Sequence, residues 1–413
     1  MTKRDVLVLG AGMVGVSAAL HLTKRGVAVT LVDRRGAGEE TSYGNAGLIE
    51  ASRMMPIGFP RDLRDLVRYG FGLTPHANFH WAALPGLAPF LLRYWAASRA
   101  DRLDASARVL RPMLAAAPAE HAELAGEAGV ARLIRKAGLL KVFRSESGAD
   151  ESAVDRAFAD EFGVPYQTLN RDEVLAREPH LQPVFKSGLF WPETGNCSDP
   201  GGLVKAYASL FEKLGGVFVK TDARSLHKYS GGWRVETDSG PLDAKEVVIA
   251  AGPWSMEIAE KFGVRVPFAA KRGYHMHFKA KGNATLSGGV LDVEGGYAML
   301  PMDAGIRITT GVEFARRDAP PTPVQLAKAL PKARELFPLG EAIEGKPWMG
   351  ARPATPDSLP VVGPVAGQAG LWLAFGHSHL GFTLGPPTGR LLAEMMTGAK
   401  PTYDPKPLRI DRF

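Results

Sequence analysis

The chain has 413 residues, enough for two to three domains at about 150 residues each. With 45% hydrophobic and 23% charged residues it has an ordinary globular composition, which excludes disorder, collagen and coiled coil as global descriptions. One cysteine excludes an intrachain disulfide, a multi-cysteine zinc site and a cysteine-ligated iron–sulfur cluster, and the 50 basic against 43 acidic residues (+7) favour anionic ligands or a membrane surface, with no basic run that would argue for nucleic acid.

Lys3 and Arg4 followed by an apolar stretch to Leu20 imitate a signal peptide. Three glycines at set spacing and an acidic residue after the next apolar run mark instead a retained segment, and the expected location is cytoplasmic. Val6–Leu9 is a continuous apolar run, as expected of a strand buried on both faces. GAGMVG (Gly10–Gly15) follows, then a helix to about Arg25 stopped by Gly26, then a second buried strand Val27–Val32 ending at Asp33. Residues 50–135 read as mainly helical with Pro and Gly breaks. Strands are expected at Leu139–Phe143, Gly188–Trp191, Val217–Lys220, Trp233–Thr237 and Val247–Ala250, with a helix at Gly201–Leu214. Short alternating runs from Tyr274 to Thr310 predict an antiparallel sheet. A helix near Pro323, a buried strand Leu371–Phe375 and a helix Gly385–Thr397 complete the chain. No stretch of 18 uncharged apolar residues exists, so no spanning helix is expected.

Strand–helix units at both ends with antiparallel strands between them predict a mixed α/β (α+β) protein. Residues 1–80, 140–260 and 345–413 would form a discontinuous dinucleotide-binding domain. Residues 81–139 and 261–344 would form an inserted substrate domain.

The glycine motif lies between a strand and a helix, with Asp33 eighteen residues beyond Gly15. In that context Gly10 permits the tight turn, Gly12 admits a pyrophosphate to the backbone, and Gly15 lets the helix pack closely. Asp33 can accept hydrogen bonds from a ribose diol. Nicotinamide dinucleotides use the same unit, and Arg34 is placed to face a 2′-phosphate. Three further stretches favour a flavin: ETSYGNAG (Glu40–Gly47), VVIAAGPW (Val247–Trp254) and LWLAFGHSHLGFTLGP (Leu371–Pro386). The last is a strand, a glycine turn and a helix whose N-terminal dipole would stabilise an anionic reduced ring.

These segments, with GARPATPDSLPVVGP (Gly350–Pro364) and GHSHLGFTLGPPTGRLLAE (Gly376–Glu394), resemble the D-amino-acid oxidase superfamily of FAD enzymes over nearly the whole chain, and bacterial D-amino-acid dehydrogenases most of all. The resemblance implies a glutathione-reductase-type FAD-binding Rossmann domain with an antiparallel sheet roofing the flavin. By position, Gly10, Gly12, Gly15 and Asp33 would hold the ADP half, and Ser42, Asn45, Ala46 and Gly47 would line the pyrophosphate and flavin. Ala223 would meet adenine, where the family usually has valine. Ala251 and Gly252 would lie near the ribityl or adenosine portion, and Gly376, His377, Gly381, Phe382 and Thr383 around the isoalloxazine. Cys197 does not match the cysteine that tethers flavin in some relatives, so the FAD is expected to be non-covalent.

The resemblance further implies oxidation of a D-amino acid by hydride transfer from Cα to flavin N5, giving a 2-oxo acid and ammonia. Arg352 matches the arginine that grips the carboxylate, with a planar fork suited to two parallel hydrogen bonds. Tyr274 and Tyr297 could add hydroxyl donors, although aromatic residues there are more often core or wall. Hydride transfer from a neutral amine needs no protein base; His377 and His379 invite such a role, but structural hydrogen bonding is the favoured expectation for either. His275 and His277 share one strand face, but no third ligand is evident and no metal is expected. D-Hydroxyproline, D-proline or sarcosine are alternative substrates. The electrons would pass to a quinone or oxygen, the aromatic-rich stretch Met54–Trp95 is a candidate for peripheral membrane contact or for packing on its own domain or on another subunit, and no nucleic-acid partner is expected.

Overall fold

Four to five consecutive apolar residues bounded by glycine or aspartate bury both faces of a strand, and this explains the first sheet. In the computed structural model, which describes residues 4–413 apart from 53, 54 and 73, Arg4–Leu9 pairs in parallel with Val29–Asp33 on one side and with Leu242–Ile249 on the other. Val217–Lys220 extends the sheet beyond Val29–Asp33. The late half of Leu242–Ile249 pairs in parallel with Leu371–Phe375, while its early half meets the hairpin of Gly232–Val235 and His227–Tyr229. Both ends of the chain therefore lie in one eight-stranded sheet.

Helices Met13–Lys24, Pro200–Lys213 and Gly385–Met396 pack together beside it. The first and last approach so closely that a Cβ at Gly389 would lie 2.5 Å from the carbonyl carbon of Ser17. The second sheet has eleven strands, and its axis is the 12-residue strand Ala269–Ala280. Pairing is antiparallel except where Gly289–Asp292 meets Leu139–Phe143 and where Val312–Phe314 meets Ala77–Phe79. The mixed α/β class and the antiparallel second sheet match the expectation.

The expected boundaries do not follow the sheets. Leu139–Phe143, Gln167–Asn170 and Ser187–Trp191 join the second sheet, because Leu140, Val142 and Phe190 pack into one core with Phe278 and Val290. Ala77–Phe79 and Trp348–Ala354 also join it. Conversely, the long helix Ala100–Glu127 covers the first sheet's helices, burying Leu110, Met113, Leu114 and Leu124 in the same core as Val16 and Leu20. A strand's periodicity gives its buried faces but not its partner, so the sequence could not sort these pieces. Two expectations touch residues outside the described ones: the signal-like segment at Lys3 and the start of the aromatic-rich stretch at Met54. Among the described residues, no helix is long and apolar enough to cross a membrane.

Candidate active site

A cavity of about 580 Å³ runs from the first glycine turn to the middle of the second sheet. At its first end, Gly10 takes φ +112°, and a Cβ there would lie 2.5 Å from the Ala250 carbonyl oxygen. Gly15 sits beneath this turn rather than on the wall, since its Cβ would come within 1.8 Å of the Gly10 oxygen. Gly12 caps the helix without a side chain, and no acidic residue stands in the first turn, so the positive end of the dipole is open to an anion. Asp33 accepts from the backbone N–H of Ala11 (2.7 Å) and of Arg35 (2.9 Å), and burial raises its pKa. Arg34 is committed elsewhere: it pairs with Glu40 at 2.7 Å and stacks 4.3 Å from the Trp254 ring, so it is not held for a 2′-phosphate.

Side chains bridge the remote segments. Ser42 Oγ accepts from Met13 N–H at 3.0 Å, and Thr41 donates to the Ala351 carbonyl at 2.9 Å. Thr383 Oγ1 donates to Leu48 O and accepts from Glu50 N–H, both at 3.1 Å, tying the second loop to the C-terminal one. Ser42, Asn45, Ala46, Ala223, Ala251, Gly252, His377, Gly381 and Phe382 reach the cavity wall. Gly15, Gly47, Gly376 and Thr383 lie behind it. Gly47 (φ +73°) and Gly376 (φ +88°) set turns against Cys197 and Thr355. The Cys197 thiol is buried and pushed up to about 12, which keeps it protonated.

His377, expected beside the ring with structural hydrogen bonding as its favoured role, reaches the cavity wall; its Nε2 lies 3.0 Å from Thr388 Oγ1 on the last helix, and burial lowers its pKa to about 3, favouring the neutral imidazole. His379 also lines the cavity. His121, which sequence reading missed, braces the same loop from behind through the carbonyls of Phe382 (2.9 Å) and Thr383 (3.2 Å). Nothing in its helical surroundings signals that role.

At the other end, strand alternation sorts the side chains of Ala269–Ala280. Lys271, Gly273, His275 and His277 face one side, and Arg272, Tyr274, Met276 and Phe278 the other. Trp348–Ala354 pairs so that Lys271 opposes Arg352, Gly273 opposes Gly350 and His275 opposes Trp348. The His275 ring stacks on Trp348 at 4.8 Å, while His277 receives Arg307 Nε at 3.0 Å and also engages Glu344. The Arg352 guanidinium lies over Gly273 and donates to the carbonyls of Gly311 (3.0 Å) and Thr310 (3.2 Å). It forms no ion pair with a carboxylate among the described residues, and burial alone lowers its pKa to about 10.

Tyr274 borders the cavity but takes the core alternative, and its hydroxyl is not turned to a ligand. Its side chain is on the opposite face from Arg352, where its one hydroxyl hydrogen goes to Glu313 (2.7 Å) and its oxygen accepts from Arg272 (3.0 Å) and Thr322 N–H (2.8 Å). No donor remains for a ligand. Tyr297 is on the cavity wall, buried beside Asp292, and both desolvation and that carboxylate raise its pKa. Sequence reading also missed Lys271, a buried lysine on the wall whose Nζ lies 3.5 Å from the Tyr94 ring. Its alternation with Gly273 and His275 was the available signal. Phe59, Tyr69 and Tyr94 form an aromatic wall around this end.

The model of the FAD dependent oxidoreductase (DAO) family matches residues 5–395. The chain is 31% identical to the D-amino-acid oxidase of Bradyrhizobium diazoefficiens, over 99% of each chain. It is 31% identical to the D-amino acid dehydrogenase of Chromohalobacter salexigens, again over 99% of each. Its fold matches the crystal structure of glycine oxidase from Geobacillus kaustophilus, with a TM-score of 0.76, 24% identity and full coverage of both chains. The glycine cradle, the uncapped helix end and the elongated cavity fit a flavin dinucleotide, and the chain belongs to the DAO family of FAD-dependent oxidoreductases.

Proposed function

We propose that the enzyme oxidises the amine-bearing carbon of a D-amino acid, giving an imino acid that hydrolyses in water to a 2-oxo acid and ammonia. The observation that carries this reading is the Arg352 guanidinium, buried on the wall of the same cavity as the glycine turn, anchored by two carbonyls and without a carboxylate partner among the described residues. Such a group binds a substrate carboxylate in two parallel charge-assisted hydrogen bonds. The D configuration is supported by the names of the two relatives at 31% identity.

FAD, when bound, would supply the hydride acceptor. The chain's own groups bind and orient. The N-terminus at Gly12 and the hydroxyl-rich loop at Ser42 would hold the pyrophosphate, and Asp33 the ribose. Arg352, fixed by Thr310 and Gly311, would orient the carboxylate, and the aromatic wall would exclude water. The neutral His377 stabilises the loop and moves no proton. For the electrons' exit we propose a membrane quinone: Phe71, Trp81 and Leu92, 73%, 63% and 68% exposed, belong to the stretch 61–93 that also carries the exposed Arg61, Arg64, Arg68 and Arg93, a composition suited to a lipid interface.

A panel of D- and L-amino acids with D-proline, D-hydroxyproline and sarcosine, read by anaerobic bleaching of the flavin, tests the substrate assignment. Arg352→Met should retain FAD and lose about 100-fold or more in the second-order rate of bleaching. Bleaching by L-amino acids alone, or an unaffected R352M enzyme, would overturn the reading.

A further inference from the structure

Arg352 accounts for one carboxylate, yet a second cation shares its face. Lys271 is its cross-strand partner, and directly opposed side chains in an antiparallel pair have Cβ atoms about 5 Å apart. Lys271 is 7% exposed and lines the same cavity. Its ammonium sits 3.5 Å from the Tyr94 ring centroid, with Phe90 and Phe314 each at 5.9 Å. Aromatic faces attract a cation but accept none of its three N–H donors in conventional hydrogen bonds. Burial, and after it the neighbouring Arg352 charge, lowers the lysine to about 7.

A buried guanidinium and a buried lysine, side by side and unpaired with any carboxylate among the described residues, disfavour a second positive charge until a ligand brings negative charge and holds the lysine as its ammonium. A monocarboxylate neutralises one of them. A substrate with a second carboxylate a few carbons from the first neutralises both and gives the lysine donors an acceptor.

We propose that Lys271 determines specificity and that the substrate is an acidic amino acid, with its α-carboxylate on Arg352 and its second carboxylate on the Lys271 ammonium. This rests on the reading of Arg352 given above. Basic amino acids are repelled by the same pair, and neutral ones leave Lys271 without an acceptor.

The test uses the FAD-loaded enzyme and isosteric pairs: D-glutamate against D-glutamine, and D-aspartate against D-asparagine. The second-order rate of anaerobic flavin bleaching should favour the acid over its amide by at least about tenfold, the range of a charge-assisted hydrogen bond. Lys271→Met keeps an apolar stem against the Tyr94 ring. It should lose roughly 10- to 100-fold more on the acid than on the amide, abolishing the preference for the acid. Equal rates for acid and amide in the unaltered enzyme would overturn the proposal and leave the amino-acid reading intact. Equal losses on acid and amide in K271M would mean that Lys271 serves the α-carboxylate, which overturns it as well. No bleaching by any amino acid would end both readings.

Discussion

Gly273→Ala isolates the carboxylate grip from the rest of the molecule. A Cβ built at Gly273 would lie 2.5 Å from one terminal nitrogen of Arg352, 2.7 Å from its central carbon and 2.8 Å from the other nitrogen. Ordinary contact begins near 3.4 Å, so the guanidinium must retreat by roughly 1 Å. It cannot do so freely, because its bonds to Thr310 and Gly311 hold it in place. A displacement of about 1 Å at a positioning group is worth about 100-fold in rate. The backbone should tolerate the change, since Gly273 lies in a strand outside the positive-φ region and alanine restricts the unfolded chain. FAD content should therefore stay the same and the denaturation midpoint fall only by the cost of local overpacking, about 1–3 kcal/mol, while the second-order rate of flavin bleaching falls about 100-fold. An enzyme that keeps its rate would show that the guanidinium over Gly273 does not hold the substrate. A variant that loses its flavin would show that the substitution is not local.

Tyr274→Phe should behave in the opposite way, because its hydroxyl serves Glu313, Arg272 and Thr322. Stranding those buried partners costs about 1–3 kcal/mol, seen as a lowered denaturation midpoint with the bleaching rate kept within about threefold; a large loss of rate at full stability would return Tyr274 to the substrate side. Acid should destabilise the fold through its buried imidazoles: burial lowers His21 to about 3, His121 to about 4 and His377 to about 3. The unfolded chain binds more protons between those values and about 6.5, so their contribution is complete above about 6.5 and is lost as the pH falls, by roughly 2 kcal/mol per imidazole at pH 5. Urea midpoints that stay level from pH 7.5 to pH 5 would refute this.

The features legible in the sequence were local. Gly10, Gly12, Gly15 and Asp33 are spaced by the geometry of a single βαβ unit, and the continuous apolar runs at Val6–Leu9 and Leu371–Phe375 announce strands buried on both faces. Arg352 and the loops at Ser42 and Gly381 were legible through the family pattern. Sheet membership was not. Leu139–Phe143 reads as a buried strand wherever it pairs, and only contacts with residues far along the chain put it beside Gly289–Asp292. His121 was hidden for the same reason, since its partners are carbonyls of a loop from the other end of the chain.

The misplacement of Tyr274 and the omission of Lys271 share one cause, which is register. Moving the strand Ala269–Ala280 by one residue would turn Arg272 and Tyr274 into the cavity and remove Lys271 and Gly273 from it. The sequence around AKRGYH allows either face. The choice is made by Glu313, the direct strand partner of Arg272. Both side chains are fully buried and meet at 2.6 Å, and Arg272 also donates to the carbonyls of Arg316, Ala319 and Pro320. A slip would strand these charges without partners, at a cost of about 3–5 kcal/mol. A buried ion pair adds little to stability when compared with well-packed apolar residues, but here it selects one register. The network on the far side of the sheet thus decides that the side chains of Arg352 and Lys271, rather than the hydroxyl of Tyr274, share this face of the flavin cavity.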